Sequence, residues 1–293
     1  MEIVDKNNYL WEKRLTNNIL TAWVENFSGQ HLSADVEKRV AVQLLKNFIY
    51  YGEQEINCLC RAAFSLLKRQ RIIENPSQYA SLNTDAAITQ YTSSCRFSYI
   101  GRASESGAML TYNFRQENRL SYLQFVEPSA FLTNEYSQNE LATLNIVFID
   151  DFLGTGKTTC DFWDEKVLAI KQRCYQAKFH FIALIALQKA IERVKNHTGL
   201  DVICPQIIDN SYRVFDSNSR IFQEAGERNI AKSICSFYGN RIFSGEDALG
   251  YKDSQALIGF HHNIPDNTLP VIWAEKQKSG KKWYPLFKRK QKY

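Results

Sequence analysis

Two adjacent carboxylates, Asp150 and Asp151, are the side chains of this sequence whose type and spacing point most directly to chemistry. They follow residues 146–149, an apolar, β-favouring run typical of a strand buried on both faces. The loop at 154–158, Gly-Thr-Gly-Lys-Thr, then precedes a helical pattern, and such loops bind phosphate through backbone N–H groups and the helix end. The carboxylates would accept hydrogen bonds from sugar hydroxyls or lie near a metal ion. The pattern predicts a sugar-phosphate site; the alternative is a buried strand that ends in a solvated turn.

The elements that would position these residues follow from the apolar spacing. After the loop, apolar residues recur at intervals of three and four and predict one face of a helix, formed by Cys160, Trp163, Val167, Ile170 and Cys174. Residues 179–187 and 202–208 have strand patterns, with a helical pattern at 188–197 between them. This alternation predicts an α/β fold with a mainly parallel sheet and flanking helices.

A second small-residue loop, at 101–107, also follows an alternating strand pattern and precedes a helical segment at 108–118. In open α/β sheets, ligands bind beyond the carboxyl ends of the strands, where loops from different strands meet. Two such loops at one edge could hold the two phosphate ends of one substrate. The alternative is an ordinary Gly/Ser connection.

Two known phosphate loops could correspond to the loop after the acids. A Walker A loop needs a glycine five positions before the Gly-Lys pair formed by Gly156 and Lys157, but Asp151 stands there, where a carboxylate would face an anionic triphosphate. The segment instead resembles the phosphoribosyl-diphosphate loop of type I phosphoribosyltransferases: an apolar strand, two acids, two apolar residues and a Thr-Gly-x-Thr turn. The matching residues are 146–149, Asp150, Asp151, Phe152, Leu153, Thr155, Gly156 and Thr158, whereas Gly154 replaces a more usual hydroxyl or other small side chain.

That resemblance implies a type I phosphoribosyltransferase-like fold and a role for each loop. The later loop would bind the 5′-phosphate through Gly154, Thr155, Gly156, Lys157 and Thr158. The early loop would bind pyrophosphate through Arg102, Glu105, Ser106 and Gly107. Asp150 and Asp151 would be the catalytic pair on the ribose hydroxyls, and Mg²⁺ would come bound to the substrate rather than to dedicated protein ligands.

The chain of 293 residues is long enough for one large or two modest domains. Residues 8–75 carry apolar residues at helical spacing, and the polar residues 75–94 resemble a connection. The predicted organisation is a helical amino-terminal subdomain at 1–75, an α/β domain at 76–274 and a basic, aromatic tail at 275–293.

The net charge of +5 is concentrated at the carboxyl end. Residues 275–293 contain eight lysines or arginines against Glu275 alone, so the rest of the chain has a net charge of −2. Trp283, Tyr284 and Phe287 are interleaved with these cations, and this composition predicts contact with nucleic acid. The alternatives are a solvated tail and a Trp-Tyr-Pro-Leu-Phe segment that docks on the domain.

The composition also indicates the cellular compartment of the protein. No segment approaches the roughly twenty apolar residues that span a bilayer, and the amino terminus lacks the layout of a signal peptide. Seven cysteines without regular spacing indicate reduced thiols, and Cys58 and Cys60 have no second pair nearby to complete a zinc site. We expect a cytoplasmic protein without membrane contact.

The segment at 256–273 extends the family resemblance over most of the chain. Its matching residues are His262, Asn263, Pro265, Asn267, Thr268, Leu269, Pro270 and Trp273. With the early loop and the acid pair, it is similar to the phosphoribosyltransferase-like effector family (PRTase-CE type) of bacterial anti-phage conflict systems, such as retron-associated effectors. His262 and Asn263 would then lie on the acceptor side. The adjacent histidines, His261 and His262, are otherwise a satisfied structural pair or include one base-contacting histidine.

The resemblance implies a toxic effector that binds phosphoribosyl diphosphate or a related nucleotide. Its implied partners are a reverse transcriptase and the noncoding RNA and msDNA that the transcriptase carries. Three functions stay open at this point. They are an active transferase or nucleotide-degrading effector held off by its partners, a catalytically silent nucleotide sensor, and an assembly module on the reverse transcriptase–RNA/DNA complex.

Overall fold

In the computed structural model, the described residues are 8–102, 105–243 and 247–290. The chain divides by contacts into two compact units. The first unit consists of Met1–Glu55 and Asp209–Tyr293, and the second unit is Ile56–Ile208. These units follow contacts in space, whereas the three predicted segments follow composition along the chain, and the segments stay a prediction.

The strands are β1 (Ile49–Tyr51), β2 (Cys95–Tyr99), β3 (Asn145–Leu153), β4 (Lys178–Leu187), β5 (Val202–Ile203), β6 (Gln206–Ile208) and β7 (Ile258–Phe260). The α-helices are α1 (Asn17–Val24), α2 (Ala34–Lys46), α3 (Glu53–Glu74), α4 (Pro76–Tyr79), α5 (Thr84–Ser94), α6 (Ser106–Glu117), α7 (Ala130–Thr133), α8 (Gln138–Thr143), α9 (Lys157–Phe162), α10 (Leu168–Arg173), α11 (Gln188–Thr198), α12 (Ala225–Ile242) and α13 (Pro270–Trp273). A π-helical stretch, Trp163–Val167, joins α9 to α10. Within the described ranges, no helix combines the length and the apolar character needed to cross a bilayer.

The second unit is built on a parallel sheet. Its strand order is β2-β3-β4-β5, and β6 also pairs with β4. Each of these pairings is parallel, with Val147 of β3 opposite Phe97 of β2 and His180 of β4. Parallel strands need helical crossovers, and the helices between the strands supply them. This confirms the predicted α/β class with a mainly parallel sheet and flanking helices.

Both faces of this sheet are covered by apolar side chains. On one face, Phe148 and Phe181 pack 5.9 Å apart by ring centroids within a core that also takes in α9, α10 and α11. On the other face, Phe97 lies 5.5 Å from Phe64 of α3 and 5.6 Å from Phe114 of α6. Burial on both faces explains why the strand at 146–149 has no polar alternation.

The helix after the loop at 154–158 buries the predicted apolar face. All five residues of that face are buried, namely Cys160, Trp163, Val167, Ile170 and Cys174. The helical run continues through the π-helical stretch to Arg173. Burial of this face against the sheet fixes the start of the helix at the end of the loop.

Three local predictions are corrected by the structure. Residues 49–51, within the run predicted as helical, form β1 because they pair with β7. Residues 75–94, predicted as a connection, contain α4 and α5, and the Asn83 side chain caps α5 by accepting a backbone hydrogen bond. The predicted strand at 202–208 is split into β5 and β6, because Pro205 has no N–H for the ladder.

The first unit has its own core, which includes the carboxyl-terminal segment. Trp283, Leu286 and Phe287 are buried. The Trp283 ring lies 5.7 Å from that of Phe27, and its indole N–H donates to the Val271 carbonyl oxygen at 3.1 Å. The Trp-Tyr-Pro-Leu-Phe segment is therefore docked on its own unit, as one of the three alternatives for the tail predicted.

Candidate functional site

Strand β3 carries the acid pair past the point where its neighbour β2 ends. The last residue pair with β2 is Tyr99 opposite Ile149, whereas β4 stays paired with Asp150 opposite Ala183. The strand was predicted to end at the acids, but it continues to Leu153 because β4 is long enough to pair with it. On the β2 side, the acids lie beyond the paired region, which is where ligands bind in open parallel sheets.

The two carboxylates contact each other and fixed donors. The Asp151 N–H donates to Asp150 Oδ1 at 3.0 Å, and the Phe152 N–H donates to Asp151 Oδ1 at 2.9 Å. The Ser106 hydroxyl donates to that same Asp151 oxygen at 3.0 Å. Burial, followed by the charge of Asp151 and a smaller contribution from Glu105, raises the pKa of Asp150 well above its usual value. Asp150 is therefore the member of the pair that holds a proton readily.

The early loop reaches the acids through the first turn of α6. Ser106 begins this helix, and its hydroxyl is the donor to Asp151. A Cβ at Gly107 would lie 2.7 Å from the Ile100 carbonyl oxygen and 3.6 Å from Asp150 Oδ1. A side chain at 107 would therefore displace backbone, so glycine is what lets α6 start against the acid pair.

Glu105 organises the outer part of this loop. Its carboxylate accepts a hydrogen bond from the Arg102 backbone N–H at 3.1 Å, while the Arg102 side chain is exposed. Residues 103 and 104 lie outside the described residues. Of the four residues predicted to bind pyrophosphate, Glu105, Ser106 and Gly107 are near the acid pair, and Arg102 is on the exposed part of the loop.

The later loop ends in the turn that starts α9. Gly156 has a φ of +73°, in the left-handed region, and it precedes Lys157, the first residue of the helix. A Cβ at Gly156 would lie 3.0 Å from the Ala190 carbonyl oxygen, so the close approach also favours glycine. The Lys157 N–H lies 3.4 Å from Thr155 Oγ1. The loop thus presents backbone donors and the positive end of a helical run.

The side chains of this loop differ in their surroundings. Lys157 forms an ion pair with Asp161, one helical turn further on, and Thr158 is exposed. Gly154 and Thr155 are half-buried in the turn. The Thr155 carbonyl oxygen accepts a hydrogen bond from Arg193 Nη1 at 3.4 Å. Arg193, on α11, was not predicted as part of the site; a basic residue on the helix after the next strand was the only available signal.

The predicted acceptor side belongs to the first unit. The His262 ring stacks on Phe260 at 5.5 Å between centroids and meets His261 edge-on at 4.9 Å. Asn263 Oδ1 accepts a hydrogen bond from the Lys290 N–H at 2.8 Å. These contacts hold the His-Asn turn in place. Its role toward an acceptor stays a prediction.

The acid pair supplies the oxygen ligands with which a substrate-borne magnesium ion could interact. In the described part of the chain, no group of three or more histidine, cysteine, aspartate or glutamate side chains is arranged to hold a metal. Magnesium in phosphate sites typically keeps several waters and takes one or two carboxylates plus substrate oxygens. Asp150 and Asp151 can supply that number of carboxylates.

Comparison with known proteins gives a family and two partial structural matches. Xanthine-guanine-hypoxanthine phosphoribosyltransferase of Helicobacter pylori is 9% identical, with a TM-score of 0.28 over 55% of this chain and 89% of that chain. Adenine phosphoribosyltransferase of Leishmania tarentolae is 13% identical, with a TM-score of 0.29 over 58% of this chain and 87% of that chain. Comparison with curated proteins gives no match. The PRTase-CE family model matches residues 20–289, and the chain therefore belongs to this phosphoribosyltransferase-like family.

Proposed function

We propose that the chain binds phosphoribosyl diphosphate, or a related nucleotide, at the carboxyl end of β3 and acts on it as a phosphoribosyltransferase-like enzyme. The observation that carries this proposal is the meeting of two loops at one acid pair. Ser106 of the early loop donates to Asp151, and β3 itself leads into the loop at 154–158. A sugar with phosphate groups at both ends suits such an arrangement.

Each part of the site then has a role. The backbone N–H groups of 155–158, with the Thr155 and Thr158 hydroxyls, would hold the 5′-phosphate. The acid pair would accept hydrogen bonds from the ribose hydroxyls and favour the positive charge that develops on the sugar as pyrophosphate departs. The loop at 101–107 would bind the pyrophosphate end. Magnesium bound to the substrate would neutralise the phosphate charge.

Ligand binding and pyrophosphate release test this proposal. Isothermal titration with phosphoribosyl diphosphate and Mg²⁺ measures binding, and a coupled pyrophosphate assay measures turnover. The double variant Asp150→Asn, Asp151→Asn should lose both signals. A matched control, Glu135→Gln, changes an exposed carboxylate of the same unit and should keep both. If the double variant binds the ligand as tightly as the wild type, the proposal fails.

A catalytically silent nucleotide-sensing module is the second candidate. The raised pKa of Asp150, caused first by burial and then by Asp151, favours it, because a neutral acid stabilises a cationic sugar less than a carboxylate does. Tight binding without pyrophosphate release at any pH would support the sensor. Release that increases as the pH rises and Asp150 ionises would support the enzyme.

We further propose a cytoplasmic, retron-type anti-phage role, in which the chain is a toxin held off by a reverse transcriptase–RNA/msDNA complex. Membership of the PRTase-CE family supports this role. Expression alone should arrest growth, and coexpression with the neighbouring reverse transcriptase and RNA genes should restore it. The acid-pair double variant should be harmless in both settings. Growth arrest by that variant would separate toxicity from the site and leave the assembly-module alternative.

A further inference from the structure

A groove of about 540 Å³ lies in the first unit between α1 and the segment at 282–288. Its wall includes the apolar residues Ile19, Ala22, Ile264 and Leu286, and its charged lining residues are Arg14, Glu275, Lys282 and Lys288. This volume is within the usual range for sites that hold one small organic group. None of the residues that line the groove is among the residues of the proposed function, although Ile264 directly follows the His-Asn turn. The acid pair and both loops belong to the second unit.

The carboxyl-terminal wall of the groove is held by hydrogen bonds to its backbone groups. Asn26 Nδ2 donates to the Tyr284 carbonyl oxygen at 2.8 Å, and the Tyr284 N–H donates to Asn26 Oδ1 at 3.1 Å. The Leu286 N–H donates to the Ile272 carbonyl oxygen at 2.7 Å. Because the wall is already ordered, a ligand in this groove does not have to order it on binding.

The segment around the groove is strongly cationic. Between residues 276 and 290 there are seven lysines or arginines and no acidic residue. Two of these cations are neutralised in the structure, since Lys288 pairs with Glu275 at 3.5 Å and Arg289 pairs with Asp266 at 3.2 Å. The others are Lys276, Lys278, Lys281, Lys282 and Lys290, and no carboxylate of the described residues is within ion-pair distance of them.

The groove also has an aromatic lining residue, Tyr284. Tyr284 lines the groove, and 43% of it is exposed although its backbone is fixed. The Lys282 ammonium lies 4.3 Å from the centroid of the Tyr284 ring. A ring of this kind among lysines is the combination that stacks a base while cations hold the adjoining phosphates.

We propose that this groove binds single-stranded nucleic acid, with one unstacked base against Tyr284 and the apolar wall and with the neighbouring phosphates on the lysines. The charge is spread over a strip of chain rather than gathered at one point, which suits a polyanion better than a single nucleotide. A paired duplex does not offer the face of a base to such a ring, so the strand must be single.

Fluorescence anisotropy with a labelled oligothymidylate of about twelve nucleotides tests the proposal on the full chain. Tyr284→Ala should weaken binding about tenfold, whereas Tyr284→Phe, which keeps the ring, should not. Ala22→Glu, which places an anion in the groove, should weaken binding as well. The matched control is Lys232→Ala, which removes an exposed lysine of α12 outside the groove and should have little effect.

Salt dependence gives a second, independent readout. Lys282→Ala should lower the slope of log Kd against log salt by about 0.7, the value for one phosphate contact on a single strand. The acid-pair double variant should bind the oligonucleotide like the wild type, so failure of this proposal is distinct from failure of the proposed function. The proposal is overturned if Tyr284→Ala binds like Lys232→Ala, or if the same length of duplex, free thymidine monophosphate or anionic vesicles compete as well as the single strand.

Discussion

Replacing Asp150 by asparagine should make the folded protein more stable at neutral pH. Burial, the charge of Asp151 and the charge of Glu105 all oppose ionisation of Asp150 and raise its pKa. Asparagine has the same shape and stays neutral. Its Oδ1 can still accept the hydrogen bond that Asp150 Oδ1 accepts from the Asp151 N–H at 3.0 Å.

The magnitude follows from the proton that this carboxyl binds. A carboxyl with a raised folded pKa stabilises the fold fully below its unfolded pKa of about 3.9, and this contribution is lost as the pH rises through the folded pKa. Every pH unit in that interval costs about 1.4 kcal/mol. Each kcal/mol moves Tm by about 2–4 °C in a domain of about 150–250 residues. We therefore expect Asp150→Asn to raise Tm by several degrees at neutral pH and to leave it unchanged near the unfolded pKa.

Calorimetric melting of the wild type and the variant between about pH 4 and pH 7.5 measures this difference. The control Glu135→Gln removes an exposed carboxylate of the same unit, and its Tm should follow that of the wild type at every pH. A variant that melts below the wild type at neutral pH would refute the reasoning. So would a gain in Tm of the same size at both ends of the pH range, because proton linkage requires the gain to grow with pH.

Three further changes test the packing. Gly156→Ala should destabilise the protein by about 1 kcal/mol or more beyond the loss caused by Gly199→Ala, as measured in denaturant melts. Both glycines have a φ of +73°, but a Cβ at Gly156 would lie 3.0 Å from the Ala190 carbonyl oxygen, whereas a Cβ at Gly199 would meet no described atom within 4 Å. Equal losses of stability for the two variants would contradict this crowding. Burial lowers the pKa of His180 to about 3, so the free energy of unfolding should fall as the pH drops below about 6.5. His180→Gln should make this fall with pH less steep, and an unchanged pH dependence would show that His180 is not its source. Trp283→Ala should cost about 3–5 kcal/mol in thermal melts, and a loss near zero would mean that the docked segment adds little to the first unit.

Local patterns in the sequence predict much of the second unit. The apolar run at 146–149, the acid pair and the small-residue loop predict a buried strand that leads through a turn into a helix, and β3 and α9 have that arrangement. The helix face from Cys160 to Cys174 is buried as its spacing predicts. These features are predictable because strands and helices each impose a fixed spacing on the apolar residues that share one face. Strand β1 was missed because its pairing partner, β7, lies about two hundred residues away in the chain.

By itself, the sequence determined which residues could form a sugar-phosphate site, because the acid pair, the glycines of both loops and the threonines of the later loop all follow strand patterns along the chain. Only the tertiary structure decided how the acids are presented. Strand β2 is shorter than β4, so β3 carries Asp150 and Asp151 past one neighbour while it stays paired with the other. The hydrogen bond from the Ser106 hydroxyl, the raised pKa of Asp150 and the docking of Trp283 depend in the same way on residues that are distant in sequence. Burial and proximity are properties of the packed chain, and no local spacing of residues records them.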